Sequence, residues 1–276
     1  MKKYFRFIKI EHTLFSLPLI YAGVFLAAER APSVELLVFV LLAATGARTI
    51  AMTLNRIIDA EIDRRNLRTN NREIPAGRMS LSEAAGILLV GMMLYFGAAY
   101  LISWFCFILS PIPLIIFSVY PYAKRFTALA HFGVGLGLSM APLGGWFAIK
   151  GSIENVLPGA LISLFTFFWA TGFDVIYSTL DEKFDKEAGL FSFPSRFGSK
   201  KALIISSALH VLAFGTLILL FLISINNLWA LPLLLLSGIL LYLEQKKSSD
   251  VELAFFKINA VIGFVVLIMV LMKGFS

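Results

Sequence analysis

Two short acidic clusters stand where long apolar segments end. They are Asn55-Arg-Ile-Ile-Asp59-Ala-Glu-Ile-Asp63 and Asp181-Glu-Lys-Phe-Asp185, and Asp174 precedes the second. At such a place a lipid bilayer gives way to water, and a carboxylate there costs free energy unless it is paired or holds a cation. Mg²⁺ prefers oxygen ligands and commonly takes one or two carboxylates together with substrate phosphate. Two clusters that face each other would therefore hold Mg²⁺ and a phosphate-bearing substrate.

The spacing within the two clusters repeats. Residues four or seven apart share one face of a helix. Two equivalent stripes therefore run into the apolar segments, namely Arg48, Asn55, Asp59 and Asp174, Asp181, Asp185, with Asp63 one turn beyond the first. A charged side chain inside an apolar segment needs a partner or a wet cavity. Arg48 and Asp174 thus extend the predicted site into the membrane.

A plainer interpretation is that these acids form a solvated loop surface. Basic residues lie close in sequence to both clusters, namely Arg64, Arg65, Lys183 and Lys186. A single cluster would favour that interpretation, whereas two clusters at matching positions favour a binding site. The sequence therefore predicts five metal-binding residues, which are Asn55, Asp59, Asp63, Asp181 and Asp185.

The composition indicates a polytopic membrane protein with a single domain, residues 1–276. Of the 276 residues, 59% are hydrophobic and 15% are charged, with a mean hydropathy of +0.85. Soluble domains have roughly 45–50% apolar and about 25% charged residues. The single cysteine, Cys106, excludes an internal disulfide and a cysteine-based metal site. The three histidines, His12, His131 and His210, are far apart in sequence and predict no metal-binding pair.

Nine apolar segments come close to the length of about 20 residues that a membrane-spanning helix needs. They cover residues 13–28, 34–55, 82–101, 103–121, 129–148, 157–178, 201–223, 228–243 and 254–273. A turn predicted at Ser103-Trp104 separates the third from the fourth. The eighth is short, so eight spans are the alternative. The expected fold is all-α, with about nine transmembrane helices around a central cavity.

The basic residues are distributed by side of the membrane. Most of the 24 lysines and arginines precede span one or follow an even-numbered span, whereas Arg30, Lys150 and Lys273 fall on the opposite side. Cytoplasmic loops carry an excess of Lys and Arg. The N-terminus and two charged loops, 56–81 and 179–200, are therefore predicted to be cytoplasmic at the inner cell membrane, with the C-terminus outside. Membrane topology thus explains the net charge of +7. The charge is therefore not read as a sign of a nucleic-acid partner.

The clusters follow the second span of each set of four spans, which predicts a parallel repeat. Its halves cover about residues 10–125 and 126–245, and a ninth helix follows at about 252–273. A repeat with charges inside the membrane would also suit a transporter with a cytoplasm-facing site. A transporter, however, is expected to have polar residues toward both ends of its path. Because the clusters here all lie on one side, the sequence favours an enzyme.

The segments around these residues resemble the UbiA superfamily of intramembrane aromatic prenyltransferases. Segments 47–63 and 174–185 look like its two Asp-rich motifs, and further segments agree with it: Arg68-Thr-Asn-Asn-Arg-Glu-Ile-Pro-Ala-Gly77, Tyr120-Pro-Tyr-Ala-Lys-Arg125 and Phe191-Ser-Phe-Pro-Ser-Arg-Phe-Gly198. The resemblance covers about residues 10–200 and is to the quinone-pathway members. It implies Mg²⁺-dependent transfer of a polyprenyl group from its diphosphate to an aromatic acceptor, 4-hydroxybenzoate or a hydroxynaphthoate. Membrane lipid is expected around the protein, and the resemblance implies no particular protein partner.

The resemblance also implies roles for the site residues. The expected catalytic carboxylates are Asp59, Asp63, Asp174, Asp181 and Asp185, and the expected substrate-binding residues are Arg48, Asn55, Arg72, Tyr120, Lys124, Arg125 and Tyr177. Arg and Lys side chains suit a diphosphate, and aromatic rings attract an allylic cation.

Arg48 has two interpretations. It is expected to bind the carboxylate of the acceptor, and the alternative is a structural pair with Asp174. The base that removes the ring proton is not assigned, with Asp174 as a guess, and neither prenyl chain length nor oligomeric state follows from the sequence.

Overall fold

The computed structural model describes residues 2–8, 13–251 and 253–275, which form helices joined by short connections. The helices are α1 Lys2–Ile8, α2 Thr13–Ala27, α3 Val34–Ile58, α4 Ala60–Arg65, α5 Leu81–Ile102, α6 Trp104–Leu109, α7 Pro111–Ala123, α8 Ala130–Lys150, α9 Leu157–Ser178, α10 Glu182–Glu187, α11 Phe193–Phe197, α12 Ser199–Leu220, α13 Leu231–Lys246 and α14 Asn259–Leu271. Short 3₁₀ or π segments cover Thr179–Asp181, Phe221–Ile225, Leu228–Ala230, Leu253–Ile258 and Met272–Phe275. Residues 10–12 of the predicted repeat, which include His12, and residue 252 of the predicted ninth helix lie outside the described residues.

Seven helical stretches in the described part of the chain are long and apolar enough to cross a membrane. They are Val34–Ile58, Leu81–Ile102, Trp104–Ala123, Ala130–Lys150, Leu157–Glu187, Ser199–Ile225 and Leu228–Lys246, and they coincide with predicted spans two to eight. Spans one and nine coincide with two shorter apolar helices, Ser16–Ala27 and Asn259–Gly274. The protein is therefore an all-helical, multi-pass membrane protein, as predicted. The count of nine spans and the division into two halves stay predictions.

The turn between spans three and four lies at Ser103, as predicted. Ser103 has extended backbone angles, φ −170° and ψ 156°. Its N–H donates to the carbonyl of Ala99 at 3.1 Å, and its Oγ accepts the N–H of Cys106 at 3.1 Å. One serine thus caps the end of α5 and the start of α6, because its backbone and side chain satisfy groups that a helix end leaves open.

Both acidic clusters lie where a spanning helix ends and a short helix begins. Asp59 separates α3 from α4, with φ −93° and ψ 0°. The Asp59 N–H still donates to the Asn55 carbonyl at 3.0 Å, and the Asp63 N–H to the Asp59 carbonyl at 2.8 Å. The four-residue repeat therefore continues through the break. After α9, a 3₁₀ turn carries Asp181 and α10 carries Asp185.

α9 is the most deeply buried of the seven spans and holds the second cluster in place. It packs against α8 and α12, and its Phe165 and Trp169 lie in the main apolar core. The Trp169 Nε1–H donates to Asn259 Oδ1 at 2.8 Å, and Asn259 Nδ2 donates to Glu244 Oε1 at 3.0 Å. Because buried polar groups require partners in an apolar surrounding, these bonds tie α9 to α13 and α14.

Small residues on α8 allow close helix contact. The glycines of this helix are Gly133, Gly135, Gly137, Gly144 and Gly145. A Cβ added at Gly145 would lie 2.1 Å from the carbonyl oxygen of Ile20, so α2 and α8 are in backbone contact there. Gly144 differs from the others, since an added Cβ would meet no atom within 4 Å among the described residues. Close helix packing therefore requires a glycine at position 145 but not at position 144.

This difference predicts opposite outcomes for two adjacent substitutions. Gly145→Ala places its methyl group against the Ile20 carbonyl and should destabilise the protein by about 1–3 kcal/mol, as overpacking typically does. Gly144→Ala is the matched control and should leave the thermal unfolding midpoint in detergent unchanged. Equal midpoints for the two variants would contradict the close contact of α2 with α8.

Candidate active site

A cavity of about 660 Å³ lies between α2, α3 and α5–α9. Charged side chains line one end of the cavity. The other end is lined by apolar residues, such as Val40, Ile102 and Phe147. The predicted site residues that line it are Arg48, Asn55, Asp59, Asp63, Arg72, Tyr120, Lys124, Asp174, Tyr177, Asp181 and Asp185. Both acidic clusters thus share one cavity, while α12–α14 pack behind α9 and contribute no lining residue among those described.

Asp59 and Asp63 of the first cluster are buried, and each is paired with a basic side chain. Lys124 Nζ lies 2.6 Å from Asp59 Oδ2, and the same oxygen accepts a hydrogen bond from Asn55 Nδ2 at 3.1 Å. One terminal nitrogen of Arg72 donates to both oxygens of Asp63, at 2.7 and 2.9 Å. The end of α7 and the loop after α4 therefore supply the positive charge that these carboxylates require.

The second cluster is joined to the first charged loop. Arg68 donates to both oxygens of Asp181, from Nε at 2.9 Å and from a terminal nitrogen, and Asn66 Nδ2 donates to Asp181 Oδ1 at 2.8 Å. A further nitrogen of Arg68 donates to the hydroxyl of Tyr177 at 2.6 Å. Burial disfavours the charged guanidinium, but the bonds to Asp181 outweigh this and raise the pKa of Arg68. A bidentate ion pair thus connects the two charged loops across the cavity.

The other two acids of the second stripe have different partners. Asp185 accepts a hydrogen bond from the hydroxyl of Ser192 at 2.8 Å. Asp174 Oδ2 lies 2.7 Å from Nδ1 of His131 on α8. Asp174 is seven residues before Asp181, which along a helix corresponds to about 10 Å. It therefore lies deeper in the cavity than the two clusters, as Arg48 does on α3.

Two of the four basic residues of the plainer interpretation pair with glutamates of the clusters and not with the aspartates. Arg64 lies 2.7 Å from Glu61, and Lys186 lies 2.5 Å from Glu182. These pairs are short-range contacts on α4 and α10, and Glu61 is 70% exposed, in contrast to the buried Asp59 and Asp63. The structure therefore separates solvated surface acids from the acids of the cavity.

Arg125 is the one predicted site residue that does not line the cavity. A terminal nitrogen of its guanidinium donates to the carbonyl of Ile58 at 2.7 Å, and the group lies over the ring of Tyr122. The last carbonyls of a helix have no partner within it. Arg125 thus satisfies one such carbonyl at the end of α3, and the expected contact with a diphosphate has no support in this geometry.

Four side chains that bond to Asp174, Asp181 or Asp185 were not predicted. They are Asn66, Arg68, His131 and Ser192. Arg68 and Ser192 lie in the segments that carry the family resemblance, so position in a motif was the available signal. His131 stands alone in an apolar segment, and nothing in its sequence neighbourhood points to Asp174, which is 43 residues away.

The chemistry of the donor set is compatible with Mg²⁺. No group of three or more His, Cys, Asp or Glu side chains in the described part of the chain is arranged around a common point. Mg²⁺ needs only one or two carboxylates when water and phosphate complete its shell. Asp59 Oδ1 is buried and has no hydrogen-bond partner among the described residues. Burial raises the pKa of Asp59, and Lys124 opposes this rise, so an added cation would stabilise the ionised carboxylate.

Comparison with known proteins adds a family and a fold. A model of the UbiA prenyltransferase family matches residues 16–271. The 4-hydroxybenzoate octaprenyltransferase of Legionella pneumophila is 29% identical over 249 residues, which are 90% of this chain and 87% of that protein. The apo structure of a UbiA homolog from Aeropyrum pernix K1 has a TM-score of 0.88 and 32% identity, covering 95% of this chain and 98% of its own.

A more distant structure shares the fold. A UbiA homolog from Archaeoglobus fulgidus, bound to GPP and Mg²⁺, has a TM-score of 0.75 and 20% identity, covering 99% of this chain and 100% of its own. The family match extends over all seven long spans and both acidic clusters. This protein therefore belongs to the UbiA prenyltransferase family.

Proposed function

We propose that this protein transfers a polyprenyl group from an allylic diphosphate to 4-hydroxybenzoate or a hydroxynaphthoate in quinone biosynthesis. The reaction would use Mg²⁺ at the cytoplasmic side of the inner cell membrane, where the positive-inside rule puts both charged loops. The name of the Legionella relative supports 4-hydroxybenzoate as the first acceptor to test. Family membership favours this enzyme over the transporter alternative.

The proposal depends on one observation above all. Carboxylates from both acidic clusters line one end of a single cavity, and Arg68 joins the first charged loop to Asp181 there. The rest of the cavity is lined largely by apolar residues. A prenyl diphosphate has the same division, with a charged head and an apolar tail. The charged end therefore suits the diphosphate, and the apolar end suits the tail.

The charged end has the groups needed to stabilise a departing diphosphate. Mg²⁺, when bound, would neutralise the negative charge that develops on the leaving group. Its ligands would come from Asn55, Asp59, Asp63, Asp181 and Asp185. Arg72 and Lys124 would donate hydrogen bonds to phosphate oxygens, since both already point a positive group at an acid of the cavity.

The walls next to the charged end suit the allylic cation. Tyr120 and Tyr177 line the cavity, and Arg68 fixes the Tyr177 hydroxyl. The face of an aromatic ring attracts a cation. Tyr120 and Tyr177 would therefore stabilise the prenyl cation, while the surrounding apolar side chains exclude the water that would otherwise trap it.

Arg48 is the proposed anchor of the acceptor. It lies on the same face of α3 as Asn55, about 10 Å deeper along the helix, and it lines the cavity. Both candidate acceptors carry a carboxylate and a hydroxyl on an aromatic ring. Arg48 would bind the carboxylate and so hold the ring beside the prenyl cation, but this contact does not distinguish the two acceptors.

The role of the acidic clusters is tested by Asp59→Asn and Asp181→Asn. With purified protein in detergent, Mg²⁺-dependent transfer from geranyl diphosphate to 4-hydroxybenzoate should fall by about 10²–10³-fold in each variant, as when one charge-stabilising group is lost from an active site. The measurement is diphosphate release together with the mass of the prenylated product.

Glu61→Gln is the matched control for these two variants. Glu61 belongs to the same helix as Asp63 but is exposed and paired with Arg64. Its substitution should leave transfer unchanged. Unchanged transfer in Asp59→Asn and Asp181→Asn would contradict the assignment of the two clusters.

The role of Arg48 is tested by Arg48→Ala with two acceptors. The KM for 4-hydroxybenzoate should rise about tenfold or more, because a hydrogen bond to a charged group contributes about 1.5–3 kcal/mol. The KM for geranyl diphosphate should not change. With phenol, which lacks the carboxylate, wild type and variant should have the same KM, and a rise of equal size with both acceptors would rule out the carboxylate contact.

A further inference from the structure

His131 is a buried histidine that the proposed function leaves without a role. It lies on α8, is 5% exposed and lines the cavity next to Asp174. Its Nδ1 is 2.7 Å from Asp174 Oδ2, a distance typical of a strong hydrogen bond. Both side chains line the cavity in which the acceptor is proposed to bind.

The second charged loop determines which nitrogen of His131 carries the proton. The backbone N–H of Phe193 donates to Nε2 at 3.4 Å, and the Phe193 ring stacks on the imidazole, with centroids 5.4 Å apart. A nitrogen that accepts a hydrogen bond carries no proton, so the proton of the neutral imidazole is on Nδ1. His131 therefore donates its Nδ1–H to Asp174.

Asp174 lies in a different part of the cavity from the acids of the two clusters. Asp59, Asp63 and Asp181 are each held by a Lys or Arg side chain. Nδ1 of the His131 imidazole is a hydrogen-bond partner of Asp174. Asp174 is also displaced by two helix turns from Asp181, toward the proposed acceptor site.

The same loop contacts the diphosphate end of the cavity. Ser192, next to Phe193, donates its hydroxyl to Asp185 at 2.8 Å. Two consecutive residues of the loop thus contact Asp185 through a side chain and His131 through the backbone. The loop that covers the charged end of the cavity therefore also holds the imidazole that bonds to Asp174.

We propose that Asp174 is the base that removes the ring proton and that His131 is a positioning residue, which holds the Asp174 carboxylate in place through its hydrogen bond. This inference rests on the proposed function. After the prenyl carbon bonds to the ring, the C–H bond at that ring carbon breaks. Its electron pair restores the aromatic system, and the proton passes to the Asp174 carboxylate. Diphosphate has already left with the electron pair of the allylic C–O bond.

Two substitutions of His131 distinguish loss of its Nδ1–H donor from loss of the imidazole ring as such. In His131→Asn the amide N–H can replace Nδ1–H, whereas in His131→Gln the amide lies near the position of Nε2 and the donor to Asp174 is lost. We expect kcat to fall about tenfold or more in His131→Gln, at the lower end of losses in general base catalysis, and to fall much less in His131→Asn. The KM values of both substrates should change little.

An isotope effect identifies the affected step. With 4-hydroxybenzoate deuterated at both carbons next to the hydroxyl carbon, His131→Gln should show a larger primary isotope effect on kcat than wild type, since proton removal becomes slower. His131→Asn should resemble wild type. Asp174→Asn should show the same increase as His131→Gln, and it tests the inference independently if His131→Gln does not fold. No increase in either variant, or equal kcat losses in His131→Asn and His131→Gln, would overturn the inference.

His210→Gln is the control for loss of a buried histidine. His210 lies on α12, is 3% exposed, bonds to Gln245 at 3.0 Å and does not line the cavity. This variant should show the isotope effect of wild type. Failure of wild type to transfer any prenyl group would refute the proposed function itself, whereas normal transfer with unaltered isotope effects in the His131 and Asp174 variants would refute only this inference.

Discussion

The bidentate pair between Arg68 and Asp181 is the contact on which the arrangement of the site depends. A carboxylate at the edge of a membrane costs free energy unless it is paired or holds a cation. Asp181 obtains its partner from the other charged loop, 113 residues away. The same contact that neutralises Asp181 therefore brings the two acidic clusters to one cavity.

The other cavity acids of the first cluster are also neutralised by basic side chains from other parts of the chain. Asp59 is held from the end of α7 and Asp63 from the first charged loop, so charge compensation connects elements that are separate in sequence. α9 supports the site. One side of it packs in the apolar core and bonds to Asn259 of α14, which in turn bonds to α13, while its other side carries the second stripe. In the proposed reaction the acids hold the metal and the bases hold the diphosphate, so the charges that stabilise the fold are those that serve the chemistry.

Local patterns were sufficient to predict much of this structure. Seven spans and the turn at Ser103 follow from runs of apolar residues and a break between them, and the stripes from Arg48 and Asp174 follow from helix periodicity. The contacts that were missed depend on tertiary structure. Arg125 bonds to a carbonyl of another helix, Arg68 bonds to Asp181 on the other charged loop, and His131 contacts Asp174 only because α8 packs on α9. No pattern within a single segment contains that information.

A double-mutant cycle tests most directly whether the two clusters form one site. The affinity for a non-ionising analogue of geranyl diphosphate in the presence of Mg²⁺ would be measured for wild type, Asp59→Asn, Asp181→Asn and the double variant. If both acids act on the same metal and diphosphate, their effects should be coupled by about 0.5–3 kcal/mol. Effects that add to within about 0.3 kcal/mol would show that the clusters act independently and would contradict the account.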